Sequence, residues 1–143
     1  MTKTGFTLVE LIVVIVMVGI VALIAAPRFF AQGAFNTARF QESTISAMRY
    51  GHKLAQAQRT DIFVVSNGGS VALCYDASCA NPVQNPTEGA AFIVTAPSGL
   101  AITSTSFSFN SLGQPSAAQT LTISGDVTTR QIVVEQETGY VHP

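Results

Sequence analysis

The chain has 143 residues, about one domain's worth, with 48% apolar and only 10% charged side chains, against roughly 25% charged in an ordinary globular chain. That composition excludes a disordered protein. Seven basic against eight acidic residues, a net charge of −1, excludes one that works by neutralising nucleic-acid phosphates, and two His with two Cys leave little material for a catalytic metal site.

The apolar residues are unevenly spread. Residues 11–26 carry no charged or polar side chain, and extending the run back to Phe6 adds only Thr7 and Glu10. As a helix, residues 6–26 are about 31 Å long, close to the thickness of a bilayer core. Lys3 precedes the run and Arg28 follows it. An ordinary secretory signal fits poorly. Its cut would fall at Ala25-Ala26 with Pro27 directly after it, and its apolar region would open with the carboxylate of Glu10. A charge in a membrane span costs roughly 2.5–3.5 kcal/mol on insertion scales, less near the interface. Such a residue needs a partner or a role; the helix macrodipole alone favours a carboxylate at this end.

Gly5-Phe6-Thr7-Leu8-Val9-Glu10, the apolar run and Pro27 together resemble the N-terminal signature of type IV pilins and type II secretion pseudopilins. The resemblance implies a fold and a set of roles. The fold is α+β, a long N-terminal helix with an apolar first half packed on a C-terminal antiparallel β-sheet head. Residues 1–5 are a prepilin leader, cut after Gly5 by a prepilin peptidase, and Phe6 becomes an N-methylated N-terminus. Residues 6–33 form the transmembrane and filament-core helix, and residues 34–143 the head. Glu10 pairs with the N-terminal amine of a neighbouring subunit and sets the register of assembly. Gly19 and Pro27 mark a helix break, where the proline lacks an N–H for the carbonyl of Leu23. The implied partners are other pilin subunits, the peptidase, the inner-membrane assembly platform and, before assembly, the membrane. The implied location is the inner membrane with the head in the periplasm, then a pilus or periplasmic pseudopilus.

Helical periodicity continues past Pro27. Ala47, Met48, Gly51, Leu54 and Ala55 fall within about 80° of Phe40, with Arg39, Glu42, Arg49 and Lys53 opposite. An amphipathic helix is therefore expected over residues 34–58, and a continuous helix from Phe6 would be about 80 Å long. From residue 62 the pattern turns to short β runs. Residues 62–65 and 71–75 around Asn67-Gly68-Gly69 predict a hairpin. Further strands are expected at 91–95, 102–109, 120–124, 130–135 and 140–141, with a turn at Leu112-Gly113-Gln114-Pro115. Phe107 and Phe109 alternate with Ser106 and Ser108 as a half-buried strand does.

Cys74 and Cys79 have four residues between them. A metal pair needs further ligands, and His52 and His142 lack the spacing. A disulfide suits a head exported to an oxidising compartment. His52 is expected at the solvated edge of the helix, and Glu135 and Glu137 on one side of a strand as exposed charges. No nucleophile elbow, phosphate loop or calcium cluster is present, Asp76 and Asp126 being isolated in sequence. No catalytic residue, metal or cofactor is expected, and a structural subunit is the preferred function. Phe107-Ser108-Phe109-Asn110-Ser111-Leu112-Gly113-Gln114-Pro115, Glu137-Thr138-Gly139-Tyr140-Val141, Arg28-Phe29-Phe30 and Gln41-Glu42-Ser43-Thr44-Ile45-Ser46 are similar to the minor pilins of mannose-sensitive haemagglutinin (MSHA) pili, the minor pilin C type. That resemblance implies a minor pilin supporting pilus biogenesis and adhesion. The alternatives are an H-like minor pseudopilin of type II secretion and, from another class, a membrane-anchored periplasmic enzyme. A DNA-uptake pilin is disfavoured, because only Arg130 is basic after Arg59, against six acidic residues.

Overall fold

The computed structural model describes residues 7–125 and 128–143, and for residues 26–32 the backbone alone. Helix α1 (Leu8–Gln58) is 51 residues long, about 77 Å. Arg59 ends it in a left-handed conformation (φ 51°), its N–H returning to the Ala55 carbonyl. In the single chain the backbone stays helical through both Gly19 and Pro27. A single proline forfeits one hydrogen bond and adds steric crowding. The helical residues on either side still gain one bond each by remaining helical.

Among the described residues eight strands follow: β1 (Ile62–Ser66), β2 (Ser70–Cys74), β3 (Ile93–Thr95), β4 (Leu100–Ile102), β5 (Thr105–Phe109), β6 (Gln119–Gly125), β7 (Thr129–Val134) and β8 (Val141–His142). They form two antiparallel sheets, ordered β3-β2-β1-β5 and β4-β6-β7-β8. The expected hairpin is β1–β2, with Phe63 opposite Cys74 and Ser66 opposite Val71. Asn67 caps its turn, its Oδ1 accepting from the N–H groups of Gly69 and Ser70.

The single strand expected over residues 102–109 is instead two, one in each sheet. The chain changes sheets at Thr103-Ser104. Thr103 anchors the crossover by exchanging hydrogen bonds with the backbone of Thr122. Glu135 and Glu137 do not share a strand either. β7 ends at Val134, and the Glu135 carbonyl accepts from Gly139 N–H across a turn.

The second half of α1 lies across both sheets. Phe40, Ile45, Met48 and Ala55 are buried against Ile62, Val64, Leu73, Phe107 and Phe109 of one sheet and Leu121, Ile123, Ile132 and Val134 of the other. At roughly 1.5–3 kcal/mol for each fully buried large side chain, this core is what fixes the helix to the head. Three buried polar residues of α1, Thr37, Gln41 and Thr44, are satisfied. Thr37 and Thr44 hydroxyls donate to the carbonyls of Gly33 and Phe40. Gln41 donates to the Gln131 carbonyl at 2.7 Å and accepts from Arg130. Arg49 donates from Nε and Nη2 to the Val141 carbonyl at 3.1 and 2.8 Å, so this member of the polar face pins the C-terminal strand.

His52 is not at a solvated edge. Its ring stands edge-on to Phe109, with centroids 5.4 Å apart, and its Nε2 is buried with no hydrogen-bond partner among the described residues. The turns at Gly113 (φ +86°) and Gly139 (φ +66°) close over it. A Cβ on Gly139 would overlap the Gly113 carbonyl oxygen and crowd the His52 ring.

The Cys74–Cys79 disulfide is present, with Cα atoms 5.1 Å apart. Asp76 organises the loop inside it. One carboxylate oxygen accepts from the Ser78 hydroxyl and Ala80 N–H, the other from Asn81 N–H at 2.7 Å. These bonds, that from Ser78 first, hold its carboxyl below its ordinary value. Asp126 lies outside the described residues.

Two outcomes are expected. Gly139→Ala should destabilise the head by about 2–4 kcal/mol, through backbone strain and overlap together. Gly19→Ala, with open space around it, should not lower the melting temperature; thermal unfolding in detergent micelles reads both. Asp76→Asn should lower stability at neutral pH. A depressed folded pKa means the carboxylate's contribution is full above its ordinary value near 3.8 and is lost as pH falls through the folded value. The gap between native and variant should therefore close in acid, measured by unfolding at a series of pH values.

Candidate functional site

The chain's most unusual surface is the first half of α1. Thr7, in an extended conformation (φ −82°, ψ 150°), is its N-cap, and its hydroxyl oxygen accepts from the Glu10 N–H at 3.3 Å. Thr7-Leu8-Val9-Glu10 has the spacing of a capping box. That signal was available in the sequence and places Thr7 in the helix start, a role the pilin-type signature alone does not suggest. The Glu10 carboxylate is exposed and accepts no hydrogen bond or ion pair among the described residues. Gly5, Phe6 and Lys3 lie outside the described residues.

From Leu8 to Ala25 the helix has a mean hydropathy of 3.1, and none of it is buried inside the protein. Leu8, Leu23, Val9, Val21 and Ile24 are 62–80% exposed, and the Leu, Ile, Val and Met residues between them, on every side of the helix, are 46–63% exposed. A helix apolar all round is not a surface helix of a water-soluble domain. Leaving that surface in water costs roughly 1.5–3 kcal/mol for each such side chain. The sum is tens of kcal/mol, more than the whole stability of a typical domain. The surface must be covered, by lipid or by other helices.

A family model described as the prokaryotic N-terminal methylation motif matches residues 1–26. The fold is similar to that of the type IV minor pilin FimU of Pseudomonas aeruginosa (strain PAO1) in two crystal forms. In space group P21 the match covers 78% of this chain and 87% of that one, at a TM-score of 0.57 and 13% identity. In space group P65 it covers 73% and 90%, at a TM-score of 0.54 and again 13% identity. Among curated protein sequences none matches the chain. The chain carries a prokaryotic N-terminal methylation motif on a fold similar to that of a type IV minor pilin.

The methylation motif and the apolar helix fit a membrane-anchored form. The head's titratable groups have structural roles. Exposed Glu135 meets His142 Nε2 at 3.1 Å, and this contact, followed by the Pro143 carbonyl, raises the imidazole above its ordinary value. Glu137 sits in the turn beyond β7, where its carbonyl accepts from Gln114. Among the described residues no three His, Cys, Asp or Glu gather as a metal site.

The motif makes a processing prediction. Protein extracted from membranes of cells with an active prepilin peptidase should have lost residues 1–5 and gained one methyl group on Phe6, as read by intact-mass and N-terminal fragment spectra. Gly5→Val should leave the leader in place, because a branched side chain would stand where a bare backbone must enter the protease. An intact Met1 in such cells would contradict the assignment.

Proposed function

We propose that this chain is a minor pilin of a type IV, MSHA-like pilus, supporting its biogenesis and the adhesion it mediates. The prepilin peptidase cuts between Gly5 and Phe6. The apolar helix holds the subunit in the inner membrane with the head in the periplasm. The assembly platform then moves it into the filament, where the helix exchanges lipid for the helices of neighbouring subunits. The observation that carries this is the pairing of an exposed apolar helix with a carboxylate at its start that has no partner among the described residues. In the filament core Glu10 meets the methylated amine of a neighbour's Phe6. Two opposite charges in that low dielectric are tolerable only as a pair, and the pairing selects one register. The Gly19–Pro27 stretch, helical in the single chain, is the segment where loss of helicity on assembly costs least, since Pro27 already lacks one bond.

The MSHA-type resemblance of the head segments supports this system over type II secretion. Deletion should therefore reduce surface pili and adhesion while leaving exoprotein secretion intact. Loss of secretion with normal piliation would favour the pseudopilin reading.

Glu10→Val tests the mechanism. It should insert and be cut normally, since the span becomes more apolar and Gly5-Phe6 is untouched. Removing one member of a buried pair costs roughly 3–5 kcal/mol, so incorporation should fall by about two orders of magnitude or more. Glu10→Asp should be intermediate, with its charge kept on a shorter arm. The readout is the fraction of processed protein in sheared pili, or pili per cell if the subunit acts as a scarce primer.

A further inference from the structure

The turn between β1 and β2 holds a reactive pair, Asn67 and Gly68. Asn67 is exposed to water. Its Oδ1 accepts from three donors at once, the Gly69 N–H at 3.0 Å, the Ser70 N–H at 2.8 Å and the Ser70 hydroxyl at 3.1 Å. Three donors on one carbonyl oxygen polarise the amide and are already placed to hold negative charge that develops there. The neighbouring nitrogens are uncommitted. Among the described residues neither Asn67 Nδ2 nor the Gly68 N–H donates a hydrogen bond. Gly68 has no side chain to keep its nitrogen from the Asn67 side chain.

The other four asparagines lack this combination. Asn81 and Asn85 precede prolines, which have no N–H to react. Asn36 lies within α1, where the following N–H belongs to the helical ladder. Asn110 is the closest match, because its Oδ1 accepts from the N–H groups of Leu112 and Gln114. Its Nδ2, however, donates to Gln114 Oε1 at 3.4 Å, and the residue after it is Ser111, with a side chain in the way.

We propose that Asn67-Gly68 is a self-modification site, at which the folded turn converts the asparagine to aspartate and isoaspartate. The Gly68 nitrogen gives its proton to water and bonds to Asn67 Cγ. The Oδ1 oxyanion that results is held by Gly69 and Ser70. The Cγ–Nδ2 bond then breaks and Nδ2, taking a proton back from water, leaves as ammonia. One water molecule opens the cyclic imide at either carbonyl, giving the two products without any oxidant or reductant. The aspartate form keeps the turn, since its carboxylate meets the same three donors as charge-assisted bonds. The isoaspartate form puts an extra methylene into the main chain. The Gly68 and Gly69 carbonyls accept from the N–H groups of Ile102 and Ala96 at 2.9 Å each, so that form loosens the place where the hairpin meets β4 and the end of β3. The reaction does not involve the apolar half of α1 and stands or falls separately from the assembly mechanism.

The test is slow incubation of the full chain in dodecylphosphocholine micelles in mildly alkaline buffer, with peptide mapping by mass spectrometry. Conversion adds about 1 Da to the peptide that carries it. Asn67 should convert at least about tenfold faster than Asn36 or Asn110, for want of a side chain at the attacking residue, and the two prolyl-linked asparagines should stay intact. Gly68→Ala should slow conversion, but at a φ of +92° it also strains the turn, so Ser70→Ala is the deciding variant. Ser70→Ala should slow conversion about threefold in the folded chain, the worth of one exposed hydrogen bond. In concentrated urea, where the three donors no longer converge, native and Ser70→Ala chains should convert at the same rate. Two results would each overturn the proposal. One is an Asn67 that converts no faster than Asn110. The other is a folded Ser70→Ala chain that converts as fast as the native one.

Discussion

The constraint on which everything else depends is a surplus of apolar surface. The head folds its own residues into a closed core of two sheets and half a helix. The other half of the same helix, from Leu8 to Ala25, is left wholly uncovered. No rearrangement within 143 residues could bury a rod that projects this far from the head. The chain is therefore incomplete alone, and its two environments, bilayer and helix bundle, are the two that cover an all-apolar helix. Exchange between them is feasible because both are apolar. What changes is the fate of the one charge at the helix start.

Continuity between the two halves of α1 gives the head its function. A rigid helix fixed to the head by Phe40, Ile45, Met48 and Ala55 carries the head's orientation into the filament core. The hydrogen bonds from Gln41 to the Gln131 carbonyl and from Arg49 to the Val141 carbonyl tie the same helix to the most distant parts of the sequence.

Much of this was legible in the sequence. The N-terminal signature, the stripe through Phe40, Met48 and Ala55, the Asn67-Gly68-Gly69 hairpin and the cysteine bridge are all local patterns, set by residues within a few positions of one another. What was not legible depends on distant partners. Alternation over Thr103 to Phe109 tells which side chains turn inward but not that the chain changes sheets at Thr103-Ser104, because both sheets impose the same period of two. His52 reads as a polar-edge residue until the Gly113 and Gly139 turns, some 60 and 90 positions on, fold over it. Arg49 reads as solvated for the same reason, its acceptor lying 92 residues away. At Pro27 one missing N–H does not interrupt the helix of the single chain.

The central claim is that Glu10 is the register contact between subunits. The most direct test is the distance from the Glu10 carboxylate to the nearest neighbour's N-terminal amine in a high-resolution electron cryomicroscopy map of a filament containing this chain. A separation within about 4 Å, an ion-pair distance, is the predicted result. A Glu10 facing only apolar side chains, or paired with a cation other than that amine, would contradict it.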